Sequence, residues 1–304
     1  MRGPPLRAIA LLVAGLTACR SAGGSSTAIG FQDDAGTSVR LRAVPRRIVS
    51  LNPTTTELLY AIGAGPRLVG RSRACDYPTA TADVPDLGDG FPPVVEAVAG
   101  VGPDLVVLYH STGNAAAARR LGELGIPVLR LRTDRLTDVA RAARLLGRAT
   151  GTSPAGDSVA AALEAELARE RATSAQGRPD GTPVVLLAWD QPTIALGAGS
   201  FASELVELAG GRNIFADVAA PSAPVSLEAI VAREPAVVVL VGSELPGLEQ
   251  RPEWRALPAV REGRVVRLTE SSFNRPGPRA PQAVRSLRAR LASLTALTPS
   301  GDPR

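Results

Sequence analysis

Reactive chemistry has few places to happen in this chain. It holds one histidine, His110, and two cysteines, Cys19 and Cys75, and none of its 34 basic residues is a lysine. A thiol hydrolase using Cys75, His110 and a nearby acid is the one nucleophilic arrangement these residue types permit, and it requires thiol and imidazole within hydrogen-bond reach. Cys75 is followed by Asp76-Tyr77-Pro78, a turn with no helix N-terminus to lower the thiol pKa. Without lysine there is no Schiff-base or phosphate-loop chemistry, and no nucleophile elbow or paired metal-ligand motif is present. A single imidazole also argues against a built-in transition-metal site. The expectation is a binder rather than an enzyme, with no catalytic residues, no metal site and no intrinsic cofactor. A net charge of +5 on 304 residues with 3% aromatics is also too weak for a nucleic-acid platform.

The N-terminus carries an address. Arg2 and Arg7 precede an apolar run from Ala8 to Leu16, and Leu16-Thr17-Ala18-Cys19 closes it. A positive start, a short apolar core and small residues before the cut make residues 1–18 a secretory signal peptide. The run is about half the length that spans a bilayer. Leu-Thr-Ala-Cys resembles the bacterial lipobox, which makes Cys19 the lipidated mature N-terminus, on the extracytoplasmic side of the cell envelope. Lipidation leaves Cys75 as the only thiol, so no intrachain disulfide forms. Residues 19–44 read as lipidated terminus and flexible tether, because Arg20 to about Ser38 are rich in Ser, Gly, Ala and Thr. Residues 298–304 read as a short tail.

From Arg47 onward, β-branched runs alternate with amphipathic helical stretches. Arg47–Leu51, Leu105–Leu108 and Val128–Leu131 read as strands, with helices at Thr55–Ile62, Ala115–Leu124 and Thr137–Thr150. The second half repeats the alternation with strands at Val184–Ala188, Val237–Val241 and Val265–Leu268. Its helices fall near Ser203–Ala209, Leu227–Ala232 and Pro281–Ala296. Such alternation predicts α/β lobes with parallel, doubly wound sheets. Ser153-Pro154 starts and Gly177 stops a helix between the blocks, with Val159, Leu163 and Leu167 on one stripe. This gives an N-terminal lobe at 45–152, a linking helix at 153–177 and a C-terminal lobe at 178–297. A continuous helix has no loop residues to absorb large backbone rotations, so the link is expected to be stiff. An internal repeat supports two lobes: Glu96 to Leu108 aligns without gaps to Glu228 to Leu240, an offset of 132 with six of thirteen positions identical.

These features resemble the substrate-binding proteins of ABC importers for cobalamin and iron–siderophore complexes. The resemblance rests on Arg46-Arg-Ile-Val-Ser-Leu-Asn-Pro-Thr-Thr-Thr-Glu57-Leu-Leu, on Cys75-Asp-Tyr-Pro78 and on Gly102-Pro-Asp-Leu-Val106. It continues at Gly210-Gly-Arg-Asn-Ile-Phe215 and Phe273-Asn-Arg-Pro-Gly-Pro-Arg279, covering about residues 45–295. It implies two Rossmann-like lobes joined by a single long α-helix, with ligand in the cleft at the carboxyl ends of the strands. On that geometry Asn52, Pro53 and Thr54 open the first helix toward the ligand, where backbone N–H groups meet acceptors. Tyr109 with His110, Trp189 with Asp190, and Phe273 with Arg275 follow three further strands, and aromatics there suit a flat or greasy ligand. Arg275 and Arg279 are placed to meet ligand carboxylates.

Tyr109, Trp189 and Phe273 match aromatic positions of the family's cobalamin-binding members, whereas Ala74 and Ser222 stand where those members carry aromatics. The implied function is a lipid-anchored solute-binding component of an ABC importer that captures a corrinoid, with an iron–siderophore or haem as the alternative cargo. The implied partners are a permease dimer with its ATPase subunits, met by Glu96 on one lobe and Glu228 on the other. The protein is expected to act as a monomer without nucleic acid.

Overall fold

In the computed structural model, which describes residues 29–177, 180–242 and 247–296, the first element lies inside the stretch read as tether. Strands β1 (Ile29–Gln32) and β2 (Ser38–Leu41) form an antiparallel hairpin. Val39 and Leu41 are buried in the main core, so the N-terminal lobe begins at the hairpin rather than at residue 45. Its turn is fastened by charge. Asp33 receives Arg130 Nε at 2.9 Å, and Asp34 pairs with Arg141. Residues 1–18, Cys19 and the tail 298–304 lie outside the described residues.

The N-terminal lobe continues with β3 (Ile48–Ser50), α1 (Pro53–Ala61), β4 (Leu68–Arg71), α2 (Val95–Gly100) and β5 (Leu105–Tyr109). It closes with α3 (Thr112–Glu123), β6 (Val128–Leu131) and α4 (Leu136–Thr150). The four strands β3 to β6 pair in parallel in the order β4-β3-β5-β6.

After α5 (Ser153–Ala175) come β7 (Thr182–Asp190), β8 (Thr193–Leu196), α6 (Phe201–Leu208), β9 (Gly211–Asn213) and β10 (Ser222–Pro224). Then follow α7 (Leu227–Val231), β11 (Val237–Val241), α8 (Pro258–Arg261), β12 (Val265–Leu268), α9 (Ser271–Asn274) and α10 (Ala280–Ala296). Parallel pairings β9-β7-β11-β12 reproduce the first lobe's order, and β8 and β10 extend it antiparallel. The repeat is therefore structural: α2 and β5 map onto the starts of α7 and β11 at the same offset of 132.

Period-two alternation puts each central strand between two layers. Leu105 and Val107 face the main core while Val106 and Leu108 face the layer of α2 and α3. Val237 and Val239 likewise face the main core, and Val238 and Leu240 the far side. The main core runs unbroken from one lobe to the other through Ala160, Leu163 and Leu167 of α5. Helix α5 is thus a shared core element as well as a connector. It lies close against α4 because Gly156 and Gly147 meet there: a Cβ on Gly156 would fall 2.7 Å from the Ala143 carbonyl oxygen.

Candidate ligand-binding cleft

In both lobes the strand order reverses beside the first strand, and the crevice outside the carboxyl ends of such sheets is where ligands sit. A cavity of about 880 Å³ opens there between the lobes. Its N-lobe wall comes from the loops after β3, β4 and β6 and the end of β5, and its C-lobe wall from β8, the start of α6, the β10 approach and the turn at the end of α9. A volume of this size suits a large small-molecule ligand.

Two ionic straps flank the cleft. Glu57 on α1 has a side chain only 2% exposed, and its carboxylate is held from the opposite lobe. Arg275 donates to it at 3.0 and 3.1 Å, and Arg279 at 2.6 and 2.9 Å. Arg275 also reaches Asp76 and the Ala74 carbonyl, and Arg279 stacks 4.1 Å over the Tyr77 ring. Thr54 Oγ1 donates to the Pro276 carbonyl at 2.5 Å beside them. On the second flank, Glu204 of α6 accepts Arg135 Nε at 2.6 Å and the Leu136 backbone N–H at 3.0 Å, capping α4 from the other lobe.

Five residues read from sequence as ligand-binding line the cavity: Asn52, Pro53, Thr54, Tyr109 and Arg275. Their roles differ from the expectation. Asn52 Oδ1 already accepts the Thr54 N–H at 2.9 Å and Pro53 has none, so this helix start presents surface more than donors. The Arg275 and Arg279 guanidiniums hold Glu57 instead of awaiting a ligand carboxylate, and Arg279 does not line the cavity. Phe273 is 2% exposed and belongs to the main core, because the turn of α9 swings its ring inward. Trp189 lies outside the lining, 42% exposed at the β7–β8 hairpin, with its indole N–H donating to the Gln191 carbonyl. Asp190 pairs with Arg251 at 2.8 Å. His110 is also outside the lining, and its Nδ1 has no hydrogen-bond partner among the described residues.

The thiol arrangement does not assemble either. Cys75 is 1% exposed, with Thr56 Oγ1 at 3.1 Å and Ser72 Oγ at 3.2 Å, and His110 is not among its partners. Among the described residues no group of three or more His, Cys, Asp and Glu is placed to hold a metal ion.

The sequence reading missed Phe91, Arg132, Asp134, Arg135, Leu196 and Phe201, all of which line the cavity. Arg132 to Arg135 had a usable signal, since they come at the carboxyl end of β6 as Tyr109 does at that of β5. Ala74 and Ser222, the two departures from the aromatic pattern, line the cavity as well. Within it the Tyr109 hydroxyl donates to Asp134 Oδ1 at 2.6 Å. Burial first, and then the Asp134 carboxylate, push the phenol up from 10.0 to about 12. A pKa raised on folding contributes stability that is present below about pH 10 and lost as pH rises through about 12. Asp134→Asn should bring the Tyr109 titration part of the way back toward 10, because burial remains and the anionic acceptor is gone. Site-resolved NMR of the Tyr109 ring against pH checks this, and an unmoved midpoint contradicts the assigned cause.

The comparisons agree with this geometry. Residues 48–271 match the periplasmic binding protein family. The vitamin B12-binding protein of Vibrio parahaemolyticus is 28% identical over 242 residues, 78% of this chain and 86% of the relative. Among solved structures, the periplasmic vitamin B12 binding protein BtuF of Vibrio cholerae matches with TM-score 0.70 at 27% identity, over 83% of this chain and 98% of that one. The periplasmic heme-binding protein RhuT from Roseiflexus sp. RS-1 matches with TM-score 0.75 at 26% identity, over 82% and 98%. With its paired α/β lobes and the cleft between them, the chain belongs to the periplasmic binding protein family, an extracytoplasmic solute binder that works with an ABC permease and ATPase and is not an enzyme.

Proposed function

We infer that this protein captures a corrinoid, such as cobalamin or cobinamide, and delivers it to its permease while anchored to the membrane through lipid on Cys19. The observation that carries this reading is the cleft: about 880 Å³, with carboxylates engaged by the protein itself and Tyr109, Phe91, Leu196 and Phe201 as apolar wall. The name of the Vibrio relative supports the same class of ligand.

Haem is the second reading, favoured by the heme-binding neighbour. A haem iron seeks a phenolate or imidazole from the protein. Here the Tyr109 proton is held by Asp134 with a pKa near 12, and His110 lies off the lining. A corrinoid can bring its own axial ligands and needs neither, so the site fits it better. The metal centre is cargo on either reading, and the protein supplies shape and hydrogen bonds.

Delivery rests on Glu96 and Glu228. Each is the second residue of its helix, α2 or α7, each is exposed, and the offset of 132 puts them at equivalent places on the two lobes. Equivalent acids on pseudo-symmetric lobes suit a symmetric permease dimer approached by a single binding-protein monomer. Arginines there would pair with them bidentately and set register. Glu228 also accepts from its own backbone N–H and from Ser226, which lowers its pKa and makes helix capping the competing role.

Incubation of the purified soluble protein with cyanocobalamin, dicyanocobinamide, haem or a ferric siderophore, followed by desalting and absorbance, tests the ligand. Retained corrinoid bands are expected, and a retained Soret band without them would replace the reading with haem. In a cellular uptake assay the Glu96→Arg/Glu228→Arg double variant should lose transport while keeping ligand affinity and melting temperature. A matching loss of stability would assign the acids to capping. In the same assay Cys19→Ser should release the protein from the membrane fraction, and unchanged fractionation would remove the anchor.

A further inference from the structure

Three arginines line the cleft, and two are committed within the protein. Arg275 is held by Glu57 and Asp76, and Arg135 by Glu204 and the Ala198 carbonyl. Arg132 differs. Its side chain is 53% exposed, its nearest carboxylate is Asp134 at 3.9 Å, and among the described residues its guanidinium makes no hydrogen bond. Asp134 has its Oδ1 engaged by the Tyr109 hydroxyl, so it grips Arg132 weakly.

The backbone beneath this loose side chain is fixed. The Arg132 N–H donates to Asp34 Oδ2 at 2.5 Å, and its carbonyl accepts from Arg141 at 3.0 Å. Arg141 is itself paired with Asp34 and Asp138. The β1–β2 hairpin therefore anchors the loop after β6 and aims an available cation into the cleft. The lining carboxylates offer it no better partner. Asp89 is paired with Arg73, and Asp138 accepts the Asp134 and Arg135 backbone N–H groups besides Arg141. Across the cavity, Leu196, Phe201 and Pro221 carry no charge.

We propose that Arg132 is a specificity-determining residue that reads an anionic oxygen group on the ligand. The macrocycle packs on the apolar part of the C-lobe wall at Leu196, Phe201 and Pro221, away from the ion-paired Arg275, and the anion lies at the N-lobe rim on the Arg132 guanidinium. This rests on the corrinoid reading, where the group is the phosphodiester linking the macrocycle to its nucleotide base. Cobinamide lacks that group. A planar guanidinium can meet two phosphate oxygens at once, which the 3.9 Å contact with Asp134 does not rival.

The test is the affinity of wild type, Arg132→Gln and Arg132→Lys for cyanocobalamin and dicyanocobinamide, by calorimetry at two salt concentrations. Wild type should prefer cobalamin by about 10-fold, the scale of a hydrogen bond to a charged group. Arg132→Gln should lose that factor for cobalamin alone, Arg132→Lys should recover part of it, and salt should weaken only cobalamin binding to the arginine and lysine proteins. If Arg132→Gln binds both ligands as wild type does, or weakens both equally, the assignment to Arg132 is overturned while the corrinoid reading stands. If wild type binds neither corrinoid, that reading fails and takes this assignment with it.

Discussion

Glu57 is a carboxylate almost sealed from water, and the arrangement of the two lobes depends on how it is neutralised. An unpaired charge in that position would be prohibitively unfavourable, and removing one partner of such a pair typically costs about 3–5 kcal/mol. Its partners, Arg275 and Arg279, both belong to the other lobe, more than 200 residues away in the chain. The lobes therefore cannot separate at that edge without exposing or stranding Glu57. The opposite edge is held by Glu204, which closes the N-terminus of α4, and the back by α5, whose apolar stripe is part of the common core.

These constraints act on function through the cleft. With both edges and the back held by these contacts, the cavity is expected to keep its width when ligand enters. A preformed site loses little conformational freedom on binding, so modest contacts give useful affinity. On the docking proposal, the same contacts would hold Glu96 and Glu228 at a constant separation, as a symmetric receptor would need from two equivalent acids. The internal duplication puts strand carboxyl ends at the cleft in both lobes and an exposed acid in the first turn of each of the short helices α2 and α7.

Much of this was legible from one sequence. β-branched runs mark the central strands, since residues buried on both faces leave little choice of side chain. The repeat exposed the pseudo-symmetry, and Ser153-Pro154 with Gly177 marked the connector, although Ser153 is the first residue of the helix and the cap position is Thr152, with no side-chain hydrogen bond. The hairpin escaped because its Gly, Ser and Thr content resembles a linker, although Ile29, Phe31, Val39 and Leu41 alternate at period two and could have revealed it. Phe273 was misjudged because a helical turn after a strand reverses where an aromatic points. The straps were not legible at all. Nothing local couples Glu57 to Arg275, and arginines near a cleft look the same in sequence whether they hold a ligand or each other's lobe.

The claim that the lobes are fixed before ligand binds can be measured by double electron–electron resonance, with spin labels at Arg119→Cys on α3 and Glu253→Cys on the far lobe. Both positions are exposed, and native Cys75 is buried. The labelled soluble protein should give one narrow distance distribution that stays within about 2 Å when saturated with its ligand, well below the shift expected of hinge closure. A broad distribution in the free protein, or a ligand-induced shift of several ångströms, would contradict the account.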